Sequence, residues 1–359
     1  MGTKQDSTPT PTADTGGFRF SNESHTLHHP RLDQTIALAN EAIFAPDDTG
    51  MVQLLGPTAV GKTHLTRYLL RQLAERFAAE MKDDPQYLPF AYIPVRLLSD
   101  KGFSWTAFYE DYLRAVQHPY PTFRHLNEAR DKIVSACTSR RTKVVIIDEA
   151  HHILAGCKDE TVLAQSEVMK SICQDTGAKY LLVATYDIIR WLRLNGQFAR
   201  RNRVIHFKRY LNTPEDRAVF TRILSAIDQE CEGHLDVRLT DDAEMIYQGC
   251  VGLIGILRNW LVRAFHNGLV EGEARVTLDA LDAARYSTLD LTPILQEAQA
   301  GEKALLETDE SRARFATLLN DDRVIEASTA AVLFQRPRRR TNSRPGHRKP
   351  HRDPVGLPQ

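Results

Sequence analysis

Cysteine is scarce in this chain, net charge is nil and long apolar runs are missing. The five cysteines (Cys137, Cys157, Cys173, Cys231, Cys250) are odd in number and nowhere form C-x-x-C. That argues against a disulfide frame or a zinc knuckle and fits idle thiols in a reducing compartment. No apolar stretch approaches the ~18 residues of a membrane span. The polar N-terminus, with Asp6, Ser7 and a Thr-Pro repeat, lacks a charged-then-apolar signal. A cytoplasmic protein without a membrane partner is expected. The paired histidines His28-His29 and His151-His152 have no companions at ligand spacing, so neither pair predicts a metal site. There is no internal repeat.

Charge is balanced in number but not in place. The 46 basic and 46 acidic residues cancel over 359 positions. Between Arg336 and Arg352, however, stand seven Arg, one Lys and no acid. Without the last 24 residues (eight bases, and Asp353), 38 bases face 45 acids, a body of −7. A basic tail on an acidic body predicts contact with something anionic or with an acidic partner. Its Pro, Gly and Arg content cannot bury a core, so a solvated, disordered end is the plainer reading.

The hydrophobic content of 42% supports a real core. Apolar residues at helical spacing (Leu32, Ile36, Ala39, Ile43) predict a helix over Pro30 to Phe44. Strands are expected at Met51–Leu55, Phe90–Leu97, Val144–Ile147, Tyr180–Ala184 and Val204–Phe207. Helices are expected at Lys62–Glu80, Trp105–Val116, Thr122–Ser139 and Thr161–Gln174. Strands as apolar as Val144-Val145-Ile146-Ile147 belong to parallel sheets covered on both faces. This alternation predicts an α/β, doubly wound parallel sheet with ligands at the strands' carboxyl ends. From Thr213 strand signals stop, and Thr213-Pro214-Glu215 opens the first of several helices, near 214–230, 241–249, 253–267, 277–286 and 291–318. The division expected is a disordered leader (1–24), an α/β nucleotide-binding core (25–212), a small helical lid (213–290), a helical extension (291–335) and the disordered basic tail (336–359).

Gly56-Pro57-Thr58-Ala59-Val60-Gly61-Lys62-Thr63 fits G-x-x-x-x-G-K-[ST] between an apolar strand and a helix that begins near His64. Glycines let backbone wrap a polyphosphate, the helix N-terminus aims N–H groups at it, Lys62 adds a point charge and the Thr63 hydroxyl suits Mg²⁺. About 85 residues on, Val144–Ile147 is followed by Asp148 and Glu149. A buried strand there would bring Asp148 to the Mg²⁺ and Glu149 to the water that attacks the γ-phosphate of ATP. Thr185, at the tip of Leu181-Leu182-Val183-Ala184-Thr185, is suited to bond that water or the phosphate.

These motifs, with the basic run Gln197-Phe198-Ala199-Arg200-Arg201-Asn202-Arg203-Val204-Ile205 and with Gly252-Leu253-Ile254-Gly255-Ile256-Leu257-Arg258, resemble an AAA+ ATPase over roughly residues 25–290. The particular flavour is similar to the TniB/TnsC family of transposition regulators. That resemblance implies an ATPase with ATP and Mg²⁺ as cofactors. It also implies ATP-dependent rings or helical filaments on double-stranded DNA that link a target-selection protein to a transposase. It implies that Arg201 acts across a subunit boundary, with Arg200 or Arg203 as alternatives because Asn202 replaces the family's usual aromatic residue. Arg258 is implied to reach the phosphates from the lid, although such lids more often place an Arg where Gly255 stands. Arg96, Lys101, Arg124 and Arg130, lying among Phe103, Trp105 and Phe123, are the implied DNA-facing positions.

Three other readings compete. Asp148-Glu149-Ala150-His151 spells the label of a helicase class, but residues 213–335 offer no second parallel sheet. An AAA+ regulator of protein assemblies in secretion or signalling, without DNA binding, shares the same motifs. Initiator-type loading ATPases share the core but normally add a winged-helix DNA domain, for which the segment after residue 290 is expected to be too small and too charged.

Overall fold

The computed structural model describes residues 18, 20, 25–47, 50–97, 102–194, 202–270 and 275–320. Arg200, Arg201, Lys101, the leader before Phe18 and the basic tail lie outside these residues. Residues up to Leu305 form one compact unit, and those from Leu306 form a second.

The described strands make one five-stranded parallel sheet: β1 (Met51–Leu55), β2 (Phe90–Pro94), β3 (Val144–Asp148), β4 (Lys179–Ala184) and β5 (Asn202–His206), in the order β2-β3-β4-β1-β5. Strands β1, β3 and β4 are buried almost throughout, as expected of mostly apolar strands in a covered parallel sheet, with Gln53 the one polar residue inside β1. Met51 pairs with Tyr180 of β4 and with Asn202 of β5, and Pro94 pairs with Asp148. Strand β2 ends at Pro94, short of the expected Leu97, because its partner β3 ends at Asp148. Val95 takes the last bond, its N–H to the Asp148 carbonyl.

Alternate side chains of the strands feed two apolar clusters. Val52, Leu54, Val144, Ile146, Leu181 and Val183 pack on one side, Leu55, Val145, Ile147, Leu182 and Ala184 on the other. The first side receives α1 (Pro30–Phe44) and α2 (Lys62–Arg76). The second receives α4 (Trp105–Ala115), α5 (Leu126–Ser139) and α6 (Asp159–Thr176). Helix α1 starts where expected because Pro30 occupies its first turn and His29 Nδ1 accepts the Leu32 N–H. The stretch expected as one helix to Glu80 breaks at Phe77, which is buried; a short helix α3 (Ala78–Asp83) follows. A 3-10 turn over Ala150–Leu154 follows β3, and another over Tyr186–Ile188 follows β4 and leads into α7 (Ile189–Leu194). Neither turn had been anticipated.

After β5 come α8 (Pro214–Glu230), α9 (Ala243–Cys250), α10 (Ile254–Val270), α11 (Leu278–Ala283) and α12 (Thr288–Leu305). Thr213 caps α8 by accepting the Asp216 N–H. Fully buried Trp260 ties α10 to α11, its indole N–H donating to Leu281 O at 2.7 Å. Helix α12 returns to the sheet: Gly301 lies so close to Tyr186 that a Cβ there would overlap the ring. Glu302 forms a 3.2 Å ion pair with Arg209, only 7% and 13% of the Arg and Glu side chains remaining exposed. The joint between β5 and α8 is further held by Tyr210 N–H to Gly252 O, Tyr247 hydroxyl to Tyr210 O and Arg209 to Val251 O.

The helical stretch expected over 291–318 is two helices, α12 and a helix over 309–320 in the second unit. Thr308 and Ser311 cap the latter reciprocally, each side chain accepting the other's N–H. No single helix among the described residues is long and apolar enough to cross a membrane.

Candidate nucleotide site

The loop Gly56–Thr63 leaves the carboxyl end of β1 and runs into α2. Two of its residues have positive φ, Ala59 at 60° and Gly61 at 113°. Gly56 is packed so tightly that a Cβ would come within 2.5 Å of the Phe207 carbonyl, so the loop can turn here only without a side chain. Lys62 is buried, its ammonium donating to the Gly56 and Pro57 carbonyls at 2.9 and 2.8 Å. Burial lowers its pKa to about 8, against the raising pull of Glu149, Asp148 and Glu297.

Around this loop lies a cavity of about 430 Å³, lined by Thr58 to His64 with Glu149, Thr185 and Arg258. The structure thus gathers most of the positions singled out in the sequence. Gly56 and Pro57 stand behind the lining as carbonyl acceptors for Lys62. Asp148 sits just beneath, 2% exposed, at the end of β3. Its carboxylate accepts the Tyr92 hydroxyl at 3.2 Å and the Glu149 N–H at 2.9 Å, and burial raises its pKa. Glu149 follows in the left-handed region at φ 54° and turns its side chain into the cavity.

Sequence reasoning missed the cavity's other walls. Leu27, His29, Leu32, Phe207 and Ile254 make an apolar end. His29 stacks on Phe207 and its Nδ1 lies 2.9 Å from the Tyr210 hydroxyl; burial lowers its pKa to about 4, so the ring is neutral near pH 7. Only its place before a helix-starting Pro marks it in the sequence. Arg67 adds a third cation beside Lys62 and Arg258. Arg258 reaches the cavity while donating to Phe20 O at 2.7 Å. His64 Nε2 lies 2.6 Å from His25 O, and burial lowers its pKa.

The Gly255 position explains why a side chain is missing where related lids carry Arg. Its N–H donates to Ala59 O at 3.0 Å, and a Cβ there would overlap that carbonyl. Arg258, one helical turn later, lines the cavity.

The site fits a nucleoside triphosphate and Mg²⁺. The Thr185 hydroxyl is buried, borders the cavity and has no partner, which is costly unless an acceptor such as a phosphate oxygen arrives. The first turn of α2 supplies N–H groups without intrahelical acceptors. Thr63 is exposed to the cavity, and Asp148 offers a carboxylate, the oxygen donors that Mg²⁺ prefers.

The basic positions proposed for DNA lie elsewhere. Arg96 pairs with Asp111, and Arg130 with Asp175 and Ser171; Arg124 donates its backbone N–H to Glu128. Arg203, at the start of β5, pairs with Glu41 at 3.0 Å.

Comparison with known proteins agrees with this geometry. Residues 47–192 match a family model described as an AAA domain. The sequence matches no curated protein. Among solved structures the chain is similar to the ORC2 protein of Aeropyrum pernix in ADPNP and ADP complexes, with TM-score 0.53 and 16% identity over 76% of this chain and 73% of that one. It is also similar to the ORC1 protein of the same organism in complex with DNA, with TM-score 0.50 and 16% identity over 71% and 63%. The fold is that of an AAA+ P-loop NTPase.

Proposed function

We propose that this chain is an ATPase whose nucleotide state governs its assembly on duplex DNA, and that it regulates transposition by linking a target-selection protein to a transposase. The observation that carries the ATPase half is the convergence of Lys62, Thr63, Asp148, Glu149 and the unpartnered Thr185 hydroxyl around one cavity. Lys62, Arg67 and Arg258 bind the polyphosphate, and the apolar end beside His29 and Phe207 takes the base. Mg²⁺, held by Thr63 and Asp148, supplies charge neutralisation on the phosphates. Glu149 accepts the proton of the attacking water, and Thr185 orients that water or the terminal phosphate. The DNA half is supported by the Gly252–Arg258 motif and by likeness to a DNA-bound relative. In an assembly an arginine from a neighbouring copy would complete the site; the Glu41 pairing of Arg203 favours Arg200 or Arg201 for that role.

A second reading, an AAA+ regulator of protein assemblies without DNA, is favoured by the intramolecular pairing of Arg96 and Arg130. Electron microscopy with duplex DNA separates the two. Ordered oligomers on DNA with a non-hydrolysable ATP analogue, absent with ADP, are expected; a monomer under both conditions refutes the proposal. Oligomers that form with the analogue but ignore DNA select the second reading.

A further inference from the structure

The 3-10 turn after β3 does something the sequence spacing did not announce. Glu149 takes left-handed backbone angles, φ 54° and ψ 34°, and the tight turn Ala150–Leu154 follows at once. Together they fold His151 and His152 back beside the carboxylate. One donor atom from each of the three residues lies within 4.8 Å of the others. His151 Nδ1 is 3.4 Å from Glu149 Oε2, and the two imidazoles are 4.2 Å apart between ring centroids. His151 Nδ1 is buried and lacks a hydrogen bond of good geometry.

We infer that Glu149, His151 and His152 form a binding site for a divalent transition-metal ion, Zn²⁺ foremost, and that the occupied site holds ATP hydrolysis off. Two imidazoles and a carboxylate suit Zn²⁺ or Co²⁺ over Mg²⁺, which prefers oxygen donors throughout. Tetrahedral bonds of about 2.1 Å set donors about 3.4 Å apart. The Glu149–His151 pair already has that spacing, and a His152 ring nitrogen lies within 4.8 Å of both. Burial and the neighbouring His152 lower the His151 pKa. Asp187 and Glu149 are the carboxylates that favour a cation here, and Lys62 opposes it. Glu149 and His151 also line the cavity that contains Lys62. A carboxylate ligated to a cation is a much weaker base, because the metal's charge opposes its protonation. This inhibitory consequence rests on the proposed role of Glu149; the binding itself does not.

The test uses the full chain, stripped of metal and kept in excess Mg²⁺ without nucleotide, and titrated with Co²⁺. One equivalent should develop the visible bands of tetrahedral Co²⁺, and Zn²⁺ should displace them. His152→Gln and Glu149→Gln should each weaken Co²⁺ binding about tenfold or more. In ATPase assays with a zinc-selective chelator, His152→Gln should match the unsubstituted chain. Micromolar Zn²⁺ should inhibit the latter and spare His152→Gln. Absent bands refute the site, and bands unchanged in both variants refute it by placing the metal elsewhere among the 13 histidines. Equal Zn²⁺ inhibition of His152→Gln refutes inhibition through this site. Bands lost in both variants, with a wild-type ATPase insensitive to Zn²⁺, keep the site and remove Glu149 as the base.

Discussion

Replacing Gly255 by alanine should loosen ATP binding although residue 255 offers no side chain to the nucleotide. Its N–H bonds Ala59 O at 3.0 Å, and an added Cβ would overlap the same carbonyl. Over-packing of this kind costs about 1–3 kcal/mol, and loss of the bond about 1 kcal/mol more. The readout depends on which side yields. Gly255 lies in the first turn of α10, anchored by Leu257, Trp260 and Leu261, all fully buried. Ala59 already occupies the left-handed region at φ 60°, which costs a residue with a Cβ about 1–2 kcal/mol. The loop is the softer partner, so the displacement falls on the turn that leads into Lys62. If about 1.4 kcal/mol of the cost reaches the binding geometry, affinity drops about tenfold. Titration with a fluorescent ATP analogue, alongside denaturant unfolding, measures both effects. Gly50→Ala, with nothing within 4 Å of the new methyl and no positive φ, is the control and should change neither. An unchanged Kd in Gly255→Ala with a lowered midpoint would show that the helix gave way, and the reasoning would fail.

The remaining expectations concern proton and charge. The Lys62 pKa is lowered to about 8, so above pH 8 the free protein holds a neutral amine. A polyphosphate favours the ammonium and raises that pKa on binding. ATP affinity should therefore be flat below pH 8 and fall above it, by up to tenfold per unit, with proton uptake seen by calorimetry in buffers of different ionisation enthalpy; a flat profile to pH 9.5 contradicts it. Glu149→Gln should bind ATP normally and lose about 10²–10⁴ in hydrolysis, and normal turnover would remove Glu149 from the chemistry. Glu302→Ala should cost about 3 kcal/mol of unfolding free energy by stranding the buried Arg209. Arg209→Met with Glu302→Leu should recover most of that loss; equal destabilisation in single and double variants would contradict a charge effect.

Much of this fold could be read from pattern. Helix α1 matched residue for residue because its apolar spacing and Pro30 speak together, and the strands of the buried sheet began within a residue or two of expectation. What escaped depends on contacts distant in sequence. Strand β2 stops where β3 stops, which no local signal in Val95 to Leu97 reveals. Phe77 breaks a helix-like stretch because its ring is drawn into the core. That the phosphate-loop residues, Glu149 and Thr185 would meet at one cavity was legible, because a few residue types in fixed order at strand ends mark them. His29 and Phe207 were not, since a neutral imidazole and a ring forming a cavity wall have no sequence signature. His151 and His152 looked companionless because ligand spacing assumes regular helix, and a 3-10 turn after a left-handed residue obeys neither period.

The clasp formed by Arg209, Tyr210, Gly252 and Glu302 decides how motion leaves the nucleotide cavity. With the connecting segment fastened to α10's approach on one side and to α12 on the other, the C-terminal helices cannot pivot like a door on a slack strap. The Gly255 N–H to Ala59 O bond ties this clasp to the loop before Lys62, and the Gly301–Tyr186 contact ties α12 to the turn beside Thr185. A nucleotide gripped as proposed above would therefore bear on α9 to α12 together, through contacts that the loop shares with them.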